Sequence, residues 1–217
     1  VSTANAFVLR GAKPVFVEIR EDNLNLDEKL IESLITEKTK AIVPVHYAGV
    51  GCDMYAINKL AKKYKLAVVE DAAQGIMASY DSQKLGTLGD LGCFSFHATK
   101  NIISGEGGAL IINNKKYIER AEIIREKGTN RSNFLKGQID KYSWVDLGSS
   151  YLPSEITAAF LLSQLEQSEF ITRKRLEIWD KYHKSFQFLE KSGYVKLPKI
   201  PRKCLHNGHM YFLIIEN

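Results

Sequence analysis

Cysteine, proline and long apolar runs are all scarce in this chain. Its three cysteines, Cys52, Cys93 and Cys204, are far apart, odd in number and without CxxC spacing. That excludes a disulfide framework and a paired-thiolate zinc site, and leaves buried reduced thiols as the expectation. No stretch of about eighteen apolar residues is present to span a bilayer, and no basic, apolar, small-residue sequence looks like a secretory leader. The expected location is therefore the cytoplasm, with no membrane partner. Arginine-rich blocks are missing too: the net charge of +5 comes from lysines scattered over all 217 residues, the pattern of a solvated surface rather than of a nucleic-acid footprint. HExxH, GxSxG, GxGxxG and P-loop patterns are absent, which removes support for metal-assisted hydrolysis, Ser-His-Asp hydrolysis, and dinucleotide or nucleoside triphosphate chemistry.

What is present is enough apolar sequence for a sizeable core, 45% of the chain, arranged as alternating strand and helix patterns. A short helix over Thr3 to Leu9, closed by Gly11, is followed by an apolar β-branched strand, Pro14 to Ile19. Leu30, Ile31, Leu34 and Ile35 recur at helical spacing after Asp27, an N-cap or first-turn acid. Strands over Ala41 to His46 and Leu66 to Val69 flank a helix over Met54 to Tyr64 with the stripe Ile57, Leu60, Ala61. Further strands follow at Cys93 to Phe96 and Ala109 to Ile112, then helices at Tyr117 to Glu126, Ser154 to Gln167 and Phe170 to Leu189. This order predicts an α/β fold with a mostly parallel sheet flanked by helices. Residues 128–150 have no clear period and are too long for an ordinary connector, as functional loops often are. Residues 1–168 are assigned to a large domain, and 169–217 to an interdomain helix and the start of a smaller C-terminal domain. The chain opens without methionine inside an element, and Phe212 to Ile215 reads as a strand cut near its end, so truncation at both ends is expected.

The chemistry concentrates in two segments. Ser95-Phe96-His97-Ala98-Thr99-Lys100 lies past an apolar strand and just before Gly105-Glu106-Gly107-Gly108, a context in which a lysine amine can be desolvated and aimed for Schiff-base chemistry. Val68-Val69-Glu70-Asp71-Ala72-Ala73-Gln74 places an acid and an amide just beyond another strand, at the edge where open α/β sheets gather ligands. Pyridoxal phosphate needs a lysine for its aldehyde, a carboxylate for its pyridine nitrogen and donors for its phosphate. Lys100, Asp71 and Ser95 are residues of those types. Each has a plainer alternative, as has Gln74: Lys100 could be one more solvated surface charge, Asp71 could cap a turn, Ser95 could be a small strand-end residue, and Gln74 could satisfy loop backbone. His46 and His97 lie at strand ends, where isolated histidines are more often structural than catalytic.

Taken together, Glu70-Asp71-Ala72-Ala73-Gln74, Ser95 to Lys100 and Gly105 to Gly108 resemble the DegT/DnrJ/EryC1/StrS sugar aminotransferases over nearly the whole chain. The resemblance implies the large domain of the fold type I pyridoxal-phosphate transferases, pyridoxal 5'-phosphate as cofactor, and a homodimer with sites at the subunit interface. It implies that Lys100 is the catalytic lysine that holds the cofactor aldehyde and shuttles a proton, that Asp71 pairs with the pyridine nitrogen, that Gln74 faces the ring and that Ser95 contacts the phosphate. Glutamate would donate the amine, and a dTDP-linked keto-deoxysugar would accept it at its fourth carbon. A dehydratase branch of the family has histidine where Lys100 stands, so the lysine argues against that activity. Many members carry asparagine and arginine where this chain has Ser150 and Leu152. The family's upstream phosphate loop and ring-stacking aromatic would precede Val1, and a non-catalytic homologue acting as a binding module is the alternative.

Overall fold

The structure, a computed structural model, describes residues 1–216. The chain opens with helix α1 (Ser2–Val8), followed by Gly11 at φ +80°, and α1 buries none of its side chains. The strand expected at 14–19 does not form. Ile19 makes only an isolated antiparallel bridge to Leu26, and Val15 and Phe16 stay exposed. The β-propensity is intact, but no strand edge among the described residues takes up the segment's N–H and C=O groups. Helix α2 (Ile31–Leu34) is a single turn, and Asp27 serves the turn before it by accepting from the Lys29 N–H at 3.0 Å.

Strand β1 (Ala41–Ile42) is cut short by Pro44, which has no N–H to offer a ladder. Helix α3 (Met54–Tyr64) connects it to β2 (Ala67–Asp71). Asp53 caps α3 by accepting from the Ala56 N–H at 3.0 Å, and Lys65 ends it in the left-handed region. The hairpin β3 (Ser79–Tyr80) and β4 (Gln83–Lys84) turns through Asp81 and Ser82, both at positive φ, as a tight two-residue hairpin turn requires. Strands β5 (Leu91–Ser95) and β6 (Gly108–Ile112) complete the main sheet, ordered β1-β2-β5-β6. The first three strands are parallel and β6 runs antiparallel to β5. Met54, Ile57 and Ala61 of α3 pack with Ile42, Val68, Ala72, Tyr80 and Leu85 in the core cluster.

The region 128–150 is not structureless. After α4 (Ile118–Arg125) it contains α5 (Arg131–Leu135), and bridges from Thr129 to Trp144 and from Glu126 to Ser150 fold it back on itself. Ser154 then caps α6 (Glu155–Glu166), accepting from the Thr157 N–H at 3.2 Å, and α7 (Ser168–Lys191) follows after Gln167. Strands β7 (Val195–Lys196) and β9 (Ile214–Ile215) pair with each other, while β8 (Cys204–Leu205) pairs with β3. That pairing, with Asn207 bonded to the carbonyls of Gln74 and Ile76, brings residues 204–209 back against the loop that leaves β2. Among the described residues no helix is long and apolar enough to cross a membrane.

Candidate active site

Parallel pairing of β2 with β5 sets Asp71 opposite Cys93, so Asp71 and Ser95 end neighbouring strands on the same carboxyl edge of the sheet. Lys100 stands on the loop joining β5 to β6. The loop is closed by backbone bonds from Phe96 N to Gly107 O at 2.8 Å and from Ala98 N to Gly105 O at 2.9 Å. Gly105 and Gly107 take φ +81° and +154°, which explains the glycine cluster as the turn that shuts this loop. Buried Asn101 and Ile102 fasten it immediately after Lys100. Lys100 is half-buried, and its ammonium has no hydrogen bond or ion pair among the described residues.

Asp71 divides its oxygens. Oδ1 accepts from the Ala73 N–H at 3.0 Å, the turn-capping alternative, while Oδ2 accepts from the Thr3 hydroxyl at 2.5 Å. Thr3 brings α1 over the strand end. The Gln74 carbonyl oxygen Oε1 accepts from the Ala48 N–H at 2.6 Å, and its amide nitrogen has no partner among the described residues. Ser95 Oγ accepts from the His97 N–H at 3.3 Å, leaving its hydroxyl proton without an acceptor among the described residues. His97 bonds Thr99 and lies 3.6 Å from Glu106 on the surface.

Two buried polar groups went unrecognised in the sequence. In one, Asn101 Nδ2 donates to Asn207 O at 3.0 Å, so its Oδ1 is the acceptor facing His209 Nδ1 at 2.7 Å. His209 Nδ1 therefore carries a proton. Asn207 Nδ2 donates to the carbonyls of Gln74 and Ile76 at 2.7 Å, and Arg175 Nη2 reaches the His209 carbonyl at 2.8 Å. Burial, then the charges of Lys100 and Arg175, push the His209 pKa down to about 4, which keeps the imidazole neutral near pH 7. In the other group, His46 and Glu70 are fully buried and 2.8 Å apart. Burial works against the Glu70 carboxylate, but bonds from His46, Gly89 and Gly86 outweigh it and hold its pKa below the ordinary range. The one clue the sequence offered was an acid and a histidine at strand ends. The Asn101 network joins positions more than a hundred residues apart and has no local pattern.

Amine, hydroxyl and amide donors and one carboxylate acceptor thus sit around one sheet edge, with Lys100, Ser95 and Gln74 retaining unused hydrogens. That donor set fits pyridoxal phosphate. A family model matches the chain along residues 1–217, from end to end. The chain belongs to the DegT/DnrJ/EryC1/StrS aminotransferase family. A relative in this family from Shewanella sediminis, a UDP-4-amino-4-deoxy-L-arabinose–oxoglutarate aminotransferase, is 39% identical over 82% of this chain and 46% of its own. Among solved structures, Helicobacter pylori PseC, an aminotransferase of pseudaminic acid biosynthesis, superposes with a TM-score of 0.88 at 32% identity, covering 99% of this chain and 56% of that one. Spr1654 from Streptococcus pneumoniae in its PLP form gives a TM-score of 0.84 at 26% identity, over 98% and 57% of the two chains. The family member described here spans about half the length of the curated relatives it matches. Its fold is the α/β large domain of the aminotransferases, with a mostly parallel sheet.

Proposed function

We propose that this chain is the cofactor-binding part of a pyridoxal-phosphate-dependent sugar aminotransferase that takes its amino group from glutamate. The observation that carries the reading is the unpartnered Lys100 ammonium on the β5–β6 loop, at the same sheet edge as the Asp71 carboxylate. When bound, pyridoxal phosphate supplies an aldehyde that condenses with amines and a ring that draws electrons from the adjoining C–H bond. In this reading Lys100 holds the aldehyde and, once displaced, carries the proton between the donor carbon and the cofactor carbon. Asp71 keeps a proton on the pyridine nitrogen. Gln74 offers its spare amide N–H to the ring hydroxyl, and Ser95 offers its hydroxyl to the phosphate. Neutral His209 and cationic Arg175 add no carboxylate beside Lys100 that would neutralise its charge.

The acceptor in this proposal is a dTDP-linked 4-keto-6-deoxysugar, converted to the 4-amino-4,6-dideoxygalactose product for a bacterial surface glycan. Support comes from the segments Val1 to Ala6, Pro44 to Gly49, Arg125 to Ser132, Gly137 to Tyr142 and Gly148 to Leu152, whose sequences resemble the transaminase that makes that sugar. A cytoplasmic homodimer, with residues 169–217 leading into a smaller domain, completes the proposal. The test uses the full-length protein that carries this chain. Added pyridoxal phosphate is expected to give a visible absorbance band that borohydride fixes covalently and that Lys100→Ala abolishes. Incubation with glutamate and a panel of nucleotide keto-sugars should yield a dTDP-aminosugar by mass. Amination of UDP-linked sugars alone would refute the nucleotide assignment, and an intact protein that develops no band would refute the cofactor assignment.

A further inference from the structure

We propose that the buried Glu70–His46 pair is the positioning device that holds Asp71 at the sheet edge, an inference that rests on Asp71 being the carboxylate that faces the cofactor. Neighbouring residues of a strand point to opposite sides, so Glu70 turns into the core while Asp71 turns to the site. Four donors surround the Glu70 carboxylate. Oε2 receives His46 Nε2–H and the Gly86 N–H, both at 2.8 Å, and Oε1 receives the N–H groups of Leu88 and Gly89 at 2.6 and 2.5 Å. The segment Gly86-Thr87-Leu88-Gly89 is thus wrapped around one carboxylate. The wrapping needs its glycines: Gly86 has φ +86°, and a Cβ on Gly89 would lie 2.8 Å from the Val68 side chain.

His46 has its tautomer fixed from both sides. Nδ1 accepts from the Cys52 N–H at 3.1 Å, so Nε2 bears the hydrogen given to Glu70. The main chain of the same histidine then grips Asp71. His46 N donates to Asp71 O at 3.1 Å and Asp71 N donates to Pro44 O at 2.8 Å, the bonds that carry the ladder past the end of β1. After His46 the chain passes to Ala48, at φ +57°, whose N–H holds Gln74 Oε1. A shift of His46 would therefore move both groups assigned to the cofactor ring.

Glu70→Gln cannot be absorbed by a tautomer change. The new NH2 would face existing donors, and turning His46 around would set Nδ1–H against the Cys52 N–H. His46→Gln keeps a donor for Glu70 and loses the acceptor for Cys52; His46→Leu loses both. In the full-length protein, Glu70→Gln and His46→Leu are expected to weaken pyridoxal phosphate binding about tenfold or more, His46→Gln less. Binding is read from the visible band, with melting of the cofactor-free protein followed in parallel. The band in Glu70→Gln should shift as it does in Asp71→Asn. The core variant Ile57→Ala, which opens a cavity in the same core but leaves every Glu70 bond in place, should lower the melting temperature and alter neither affinity nor band. A Glu70→Gln protein that binds within about twofold of the parent with an unshifted band overturns the inference, while a shifted band in Asp71→Asn leaves the cofactor reading standing. If Glu70→Gln does not fold, the order Leu worse than Gln at position 46 decides: equal affinities overturn the proposal. A parent protein without any band overturns the cofactor reading itself, and this inference with it.

Discussion

Among the individual side chains, His209 is held neutral by its surroundings. An unfolded histidine titrates near 6.5, and the folded one is held at about 4 by burial first, then by Lys100 and Arg175. Between those values the unfolded chain takes up a proton that the folded chain refuses, so stability is complete above about pH 6.5 and declines as pH falls toward 4. The full extent is roughly 3 kcal/mol. Urea denaturation of the whole protein across that window should show the slope, and His209→Gln should flatten it; an unchanged slope would refute the assignment. Glu70 adds a second acid limb, since its lowered pKa stabilises the fold above the carboxylate range and the contribution goes as pH drops through the folded value. Residues of the candidate site were legible where they share a motif: Lys100 and Ser95 are five apart, and Asp71 and Gln74 three apart. Thr3 and His209 were not, because their partners Asp71 and Asn101 lie 68 and 108 residues away in sequence.

For the elements, legibility followed how much of each was decided locally. Helix α3 could be read almost to the residue because its cap, Asp53, and its apolar stripe lie within its own sequence. The segment 14–19 has equal local promise, yet strand formation needs a second strand and none is supplied among the described residues. Helix α5 was hidden because five residues are too few to show a period. The glycines differ in what they permit: a Cβ on Gly92 would stand 2.1 Å from Gly86 O, whereas one on Gly137 meets nothing within 4 Å. Gly92→Ala should accordingly cost about 3 kcal/mol or more by forcing β5 away from the turn around Glu70. Gly137→Ala should cost about 1 kcal/mol, through its φ of +70° alone. Melting curves of the two variants check the contrast, which fails if they lose equal stability.

At the scale of the whole molecule, a large apolar area is uncovered. Helix α6 buries no side chain, and Ile156 and Phe16 are 84% and 80% exposed. Helices that are apolar around much of their circumference are normally buried, and patches of this kind drive association. The 217-residue chain expressed alone should therefore self-associate on a sizing column, and Ile156→Glu with Phe160→Glu should return it toward monomer; an unaltered elution volume would count against α6 as the contact.

The antiparallel setting of β6 bears on the order in which these parts come together. Because β5, the Lys100 loop and β6 form one hairpin over residues 91–112, its pairings link near neighbours in sequence and need little chain closure to form. The Thr3–Asp71 and Asn101–Asn207 bonds must wait for distant segments to arrive. Chain closure thus costs least for the hairpin that carries the lysine, and most for the groups that would define its surroundings.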